Sequence, residues 1–334
     1  MIARSWLAGL LLISLSAAGD AQLDLRGELA TYAQTGEQAY TGFHYIPLLE
    51  YDIQLMKGLQ LAAEASYRLS WGHPIEAIDF DENDLDHGLY RLNARLQTRQ
   101  LELVAGLQKL NFGPGRLLRP LMWFDELDPS DPLGIAKGVT GLAGQYYTAS
   151  LVNIRGWVLQ SGDPKGWEAL AGEDGRLEYG GRLAFPLAGG TLGGAYHHRR
   201  VQNPGLILDP NDALTENRFA IDGFFDIGIG LWFEGMVKQQ RTPDQDFVDQ
   251  TLLMAGGDYT FAIGNGIHLT AEHLVWDYQV TIPAGSNLLD PSDTYSMSAL
   301  LADYPIGFFD QIAVIGLYDW ENDNLIAMLT WTRT

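Results

Sequence analysis

The 334-residue sequence has no cysteine, which removes disulfide frameworks and thiolate chemistry from consideration. Beyond its start it has no apolar run approaching the roughly 20 residues of a membrane-spanning helix. Positive charge is scarce. There are 21 Lys and Arg against 42 Asp and Glu, a formal net charge of −21, so no nucleic-acid partner is expected. No G-x-S-x-G element occurs and the seven histidines sit mostly apart, so no nucleophile has a base beside it. These absences predict a chain that is not an enzyme, with no cofactor and no catalytic or resident metal.

What the sequence has is glycine (38 residues), aromatics (11%) and apolar residues (46%), with only one short run to concentrate them. That run opens the chain: "MIAR" supplies a positive start, "SWLAGLLLISLS" an apolar stretch too short to span a bilayer, and "AAGDA" small residues for cleavage. Residues 1–21 therefore read as a secretory signal peptide cleaved within Ala18–Ala21, with an uncleaved anchor as the rival reading. Residues 22–334 form a single domain.

The remaining apolar residues are distributed with a period of two. In "QLDLRGELATY", Leu23, Leu25, Gly27 and Leu29 share one face while Asp24, Arg26 and Glu28 share the other. In "LQLAAEASYRLSW", Leu59, Leu61, Ala63, Ala65, Tyr67 and Leu69 oppose Gln60, Glu64, Ser66, Arg68 and Ser70. Strict alternation over eight or more residues argues for strands. A soluble sandwich also alternates, but its strands are nearer 5–6 residues. Strands of about 9–11 residues with an apolar face and flanking aromatics predict a transmembrane antiparallel up-and-down β-barrel of the bacterial outer membrane.

Sixteen strands are expected, near 22–33, 41–55, 59–71, 88–98, 101–112, 137–147, 150–160, 176–186, 191–201, 216–227, 230–240, 250–263, 266–277, 294–304, 308–318 and 323–333. The weak patterns at 137–147 and 150–160 leave fourteen or eighteen open. Short turns such as "MKG", "TRQ" and "IGNG" alternate with long polar loops, as periplasmic turns and extracellular loops do. "LDPSD" at 127–131, "LDPND" at 208–212 and "LDPSD" at 289–293 recur 81 residues apart, the span of about four strands with their links. Each reads first as a turn, because Asp can cap the turn that Pro starts.

The third extracellular loop, "FGPGRLLRPLMWFDELDPSDPLG" at 112–134, is the longest stretch that fits neither helix nor strand. Loops above about 12–15 residues are usually functional or disordered. Arg116 and Arg119 stand near one end, with Asp125, Glu126, Asp128 and Asp131 further on. Folded inward, they would line a pore constriction with opposed charges. Lying across the mouth, they would simply be solvated.

The pattern Gly106-Leu107-Gln108, Phe112-Gly113, Pro120, Asp128-Pro129-Ser130-Asp131-Pro132 and Gly138-Val139 resembles a broad set of bacterial porins related to alginate-export barrels. The similarity covers about 35 residues. Those families commonly carry Arg or Lys where Leu107 stands and Trp where Phe112 stands. In position, the loop is also similar to the one that folds into the barrel of sixteen-stranded general porins. The resemblance implies an outer-membrane porin for small hydrophilic solutes or ions. The alternatives are a substrate-specific channel for anionic sugars or organic acids, and a structural or adhesion barrel with a blocked lumen. Barrel strands usually end in an aromatic residue read by the assembly machinery, whereas this chain ends "LTWTRT", with Trp331 three residues short.

Alternation sends Arg26, Glu28, Glu64, Arg68, Arg91, Arg95, Arg182, Asp222, Glu234 and Glu272 into the lumen, together with Glu50, Glu178, Arg199, Arg218 and Asp258. Mixed charges there mostly pair and screen one another, and the net charge mildly favours cations. Tyr51, Tyr67, Tyr179, Phe185, Tyr259 and Phe261 have lipid-facing parity, while Trp232 and Trp276 face the lumen. "YHHRR", ending at Arg200, reads as a basic rim for lipopolysaccharide phosphates. "DFDEND" at 79–84 begins like a calcium loop but lacks the required later glycine and glutamate. The partners implied are outer-membrane lipid and lipopolysaccharide, the barrel-assembly machinery and small hydrophilic solutes, with a homo-oligomer left open.

Overall fold

A computed structural model describes residues 7–16, 21–34, 40–74, 85–125, 138–187, 189–203, 212–243, 246–281 and 292–333. Its strands are β1 (Leu7–Ser16), β2 (Ala21–Gln34), β3 (Tyr40–Met56), β4 (Leu59–Pro74), β5 (Leu85–Gln97) and β6 (Leu101–Gln108). They continue as β7 (Val139–Tyr147), β8 (Asn153–Gln160), β9 (Leu177–Leu187), β10 (Gly190–Val201), β11 (Leu214–Asp226) and β12 (Gly230–Arg241). The last five are β13 (Asp246–Phe261), β14 (Ile267–Val280), β15 (Ser292–Pro305), β16 (Asp310–Asp319) and β17 (Asn324–Arg333).

Each strand pairs antiparallel with the next in sequence. The sixteen strands from β2 to β17 are the expected up-and-down barrel, in place of the fourteen or eighteen the weaker patterns allowed. The segment expected to be a signal peptide contributes β1, which lies along β2 from Leu7↔Thr31 to Ser16↔Gln22. The main departure from the expected strands is β6, which ends at Gln108 rather than 112, so the inward segment starts earlier.

The pleat separates the two faces sharply. On β13, Leu252 is 0% exposed and its neighbour Leu253 is 57% exposed. Leu49, Leu92, Leu142, Leu183, Ile221 and Leu300 are likewise exposed on the outer face. So large an apolar surface is not what a soluble monomer presents. The six aromatics expected on the lipid side, Tyr51, Tyr67, Tyr179, Phe185, Tyr259 and Phe261, all belong to this exposed surface. The buried core, by contrast, lies inside the barrel and includes Leu110, Leu118, Leu121, Trp123 and Phe124 from the chain after β6.

Two substitutions test this two-faced reading. Leu183→Arg and Leu253→Arg each put a charge on the outer face at mid-strand, and each should destabilise the barrel by about 2–4 kcal/mol. Arg95→Leu, on the inner face, should be nearly neutral. Heat-modifiability on gels and urea midpoints of the refolded proteins check this, and equal behaviour of the two classes contradicts it.

Candidate functional site

The site is the segment 109–125 and the walls it touches. It is irregular because Pro114 and Pro120 supply no N–H and Gly113 adopts a left-handed φ of 90°. An irregular backbone inside a barrel has no ladder to bond to, so its donors need other acceptors. Two wall carboxylates provide them. Gly115 N–H donates to Glu234 Oε1 at 2.7 Å and Leu121 N–H to Glu234 Oε2 at 2.9 Å. Arg116 N–H donates to Glu272 Oε1 at 2.7 Å, and Leu117 and Leu118 N–H to Glu272 Oε2 at 2.8 and 2.5 Å.

The wall is shaped for this. Trp232 on β12 and Glu272 on β14 both stand opposite Gly256 on the strand between them. A Cβ at Gly256 would lie 2.6 Å from the indole nitrogen of Trp232 and 2.7 Å from Glu272 Cγ. Without it, the Trp232 N–H crosses the strand and donates to Glu272 Oε1 at 2.8 Å. Gly113 is required for a similar reason, since its Cβ would collide with Glu234 Oε1. The backbone thereby comes close enough to use both carboxylates.

Apolar packing seats the rest of the segment. Phe112 lies on Trp157 (centroids 5.7 Å apart, planes at 21°) and meets Trp123 edge-on at 5.1 Å. The Trp123 N–H reaches Met236 Sδ at 2.9 Å. On the opposite side, Arg155 of β8 donates to the carbonyl of Asn111 at 2.8 Å. The segment is therefore held between the β8 wall and the β12–β14 wall.

A second loop also turns inward, which sequence reasoning missed. Residues 161–176 bring in Glu168, whose carboxylate meets Arg199 at 2.9 Å and Arg218 at 2.5 Å. Glu216 meets the same two arginines at 2.7 and 2.5 Å and accepts from Gln240 at 2.6 Å. Lys238 Nζ donates to the Trp167 carbonyl at 3.0 Å, and the Trp167 indole donates to the Arg119 carbonyl at 2.7 Å. The two loops thus support each other. The sequence signal for this was two arginines and a lysine at lumen parity on three successive strands, and parity alone did not say which carboxylates would reach them.

The expected site residues divide accordingly. Arg116 is part-exposed, pairs with Asp258 at 2.6 Å and lies over the Trp232 ring at 4.7 Å. Arg119 is buried against the Asn111 side chain, and Asp125 is buried as well. Glu126, Asp128 and Asp131 lie outside the described residues, as do the "DFDEND" segment and nearly all of the three LDP motifs. Asp222, Glu234 and Glu272 face inward but lie beneath the loops, with Asp222 paired to Arg182 at 2.5 Å.

Among the described residues, several ion pairs on the opposite side of the lumen are more exposed. The Arg199 and Arg218 side chains are 1% and 3% exposed. In contrast, Arg26 is 43% exposed in its pair with Glu50, and Arg95 44% in its pair with Glu102. Glu28 is exposed on the same side, and Arg68 pairs with Asp86 at 2.5 Å. Glu64, Arg91, Arg95, Glu102, Lys109 and Arg155 line a cavity of about 300 Å³ there. The basic-rim reading of "YHHRR" is corrected for two of its members. His197 is fully buried, accepting from the Trp157 indole at 3.1 Å and facing Glu178 at 3.3 Å, and Arg199 belongs to the interior cluster.

No protein-family model matches the chain, and no curated protein matches it either. Solved structures do. The fold is similar to Salmonella typhi OmpF in complex with daunomycin (TM-score 0.58, 11% identity, 96% of this chain and 100% of that one). It is similar to the trimer form of OmpT, an outer-membrane protein of Vibrio cholerae (0.59, 12%, 95% and 96%). A third likeness is to the anion-selective porin from Comamonas acidovorans (0.56, 10%, 99% and 96%). The chain therefore has a porin-like β-barrel fold, and at these identities the likeness is one of fold.

The anchoring of the segment can be measured directly. A hydrogen bond to a charged group contributes about 1.5–3 kcal/mol, and Glu272 takes three from the loop backbone. Glu272→Ala should speed amide exchange at Arg116, Leu117 and Leu118 at least about tenfold, equivalent to about 1.4 kcal/mol. The β9–β10 ladder should exchange as before. Hydrogen exchange read by mass spectrometry checks this, and unchanged rates at 116–118 contradict it.

Proposed function

We propose that this chain is a bacterial outer-membrane channel, a passive path for small hydrophilic solutes or ions, narrowed by the segment after β6. The observation that carries the reading is that five backbone N–H groups of 115–121 bond to Glu234 and Glu272 on the inner wall. A loop lying outside needs no buried acceptors, because water supplies them. The exposed outer belt supports a lipid environment, where only closed strands or helices satisfy the backbone. Lipopolysaccharide would surround the outer rim, and the barrel-assembly machinery would insert the chain. Cleavage of 1–21 would remove β1 and free the β2 edge for β17. The trimer form of the Vibrio cholerae protein supports a homo-oligomer.

A specific observation favours anions, including organic acids, over the cations suggested by the net charge of −21. Around the open cavity stand four cations, Arg91, Arg95, Lys109 and Arg155, against two carboxylates, Glu64 and Glu102. At physiological ionic strength the Debye length is about 8 Å, so an ion in the narrow path responds to this local excess rather than to distant loop charge.

Planar-bilayer recording tests the reading. The refolded protein should conduct, and deletion of 113–124 should raise single-channel conductance several-fold. Arg91→Gln with Arg95→Gln should shift the reversal potential toward cations. Arg116→Gln should do so too, by releasing Asp258. Both shifts should grow at 0.01 M salt, where the Debye length is about 30 Å. Absence of conductance would leave a blocked structural barrel as the better reading, and an unchanged reversal potential would remove the anion preference.

A further inference from the structure

Between the narrow segment and the outer mouth the inner wall changes character. A cavity of about 620 Å³ is lined by Trp167, Trp276, Tyr278, Tyr295, Gln240 and Gln250, with Val248 and Val280 at its edge. That volume lies in the range of roughly 300–1,000 Å³ typical of small-molecule sites. The register builds it. Trp276 stands directly opposite Tyr295, and Tyr278 opposite Gln250, so the rings and the carboxamide share one inner face near the ends of β13, β14 and β15. The rings form a continuous surface: Trp276 to Tyr295 at 5.5 Å, Tyr278 parallel to Tyr295 at 6.0 Å and 7°, and Trp167 against Trp276 at 5.8 Å.

Trp167 comes from the second inward loop and is fixed at both ends, its indole on the Arg119 carbonyl and its own carbonyl on Lys238. The fourth ring of the surface is therefore held in place by the same bonds that tie the two loops together.

We infer that this surface is a stacking site for a neutral pyranose ring, and the inference rests on the channel reading above. Three features select that chemistry. Contiguous ring faces offer a negative quadrupole surface to which the C–H face of a pyranose is complementary. The Gln250 carboxamide beside the rings offers donors and an acceptor to a hydroxyl edge, whereas the buried Gln240 amide already donates to Glu216. The cations beneath the site are already engaged: Arg199 and Arg218 with Glu168 and Glu216, and Lys238 with a carbonyl. Lys238 and Glu168 also border the cavity, each already bonded within the cluster of the second loop. A purely aromatic solute would leave the Gln250 carboxamide unsatisfied.

The test uses the full-length barrel refolded in detergent and in planar bilayers, with cellobiose as the flat-ring probe, sorbitol as an acyclic polyol without a ring face, and phenol as an aromatic probe. Cellobiose should block current and quench tryptophan emission with one half-saturation concentration. Sorbitol should do neither at tenfold higher concentration, and phenol should not displace cellobiose. Tyr295→Ala and Trp276→Ala should raise the half-saturation concentration at least tenfold, and Gln250→Ala several-fold, with the open-channel conductance retained. Equal responses to cellobiose and sorbitol, displacement by phenol, or wild-type affinity in the ring variants would each overturn the site. Quenching by cellobiose in a barrel that conducts nothing would uphold the site and defeat the channel. Conductance without any cellobiose response would do the reverse.

Discussion

Every part of this structure answers to one constraint, that a backbone N–H shielded from water must find an acceptor. On the wall the ladders meet it, strand by strand, through sixteen antiparallel neighbours. Inside the barrel no ladder is available to the segment after β6, and Glu234 and Glu272 take its place. Each carboxylate oxygen can accept more than one bond, so two side chains suffice for five donors. Gly113 and Gly256 are the steric conditions for it, one on the loop and one on the wall. The apolar contacts of Phe112, Leu118, Leu121 and Trp123 then close over bonds that water would otherwise contest.

The second inward loop solves a different problem. Arg199, Arg218 and Lys238 point into the barrel from β10, β11 and β12, and three desolvated cations together would be strongly unfavourable. Glu216 compensates part of the charge from the wall, and Glu168 brings the remaining carboxylate from the loop. Folding the loop in and pairing the two arginines are therefore one event. Lys238 extends the cluster to the Trp167 carbonyl, and Trp167 in turn bonds the first loop. The β10–β12 side of the interior becomes tightly packed, whereas charged pairs on the β2–β6 side stay partly exposed.

This asymmetry separates charge as a total from charge as a solute would meet it. The excess of carboxylates belongs to the whole chain, whereas the open cavity beside Arg91 and Arg95 carries more cations than anions. Composition alone does not show this local balance, because screening makes each side chain's position count for more than the sum.

The barrel itself was legible in the sequence. Period-two alternation in segments such as 22–32 and 59–71, with short and long links in turn, gives the strands and their facing, because one residue of slip would turn every apolar side chain the wrong way. The weak patterns at 137–147 and 150–160 left fourteen or eighteen strands open. The parity of Glu234, Glu272, Arg199 and Arg218 followed from the same rule. What each would meet on the inner side did not follow. Alternation says which face a residue takes and nothing about what comes to cover it. That Arg119 and Asp125 would be buried while Arg116 reaches Asp258, that Glu234 would serve Gly115 and Leu121, and that Trp167 would join Trp276 and Tyr295 depend on contacts across more than a hundred residues. The strands are determined by local period, which each segment carries within itself. The interior is decided by the meeting of two irregular loops with a wall already built, and only the folded chain brings them together.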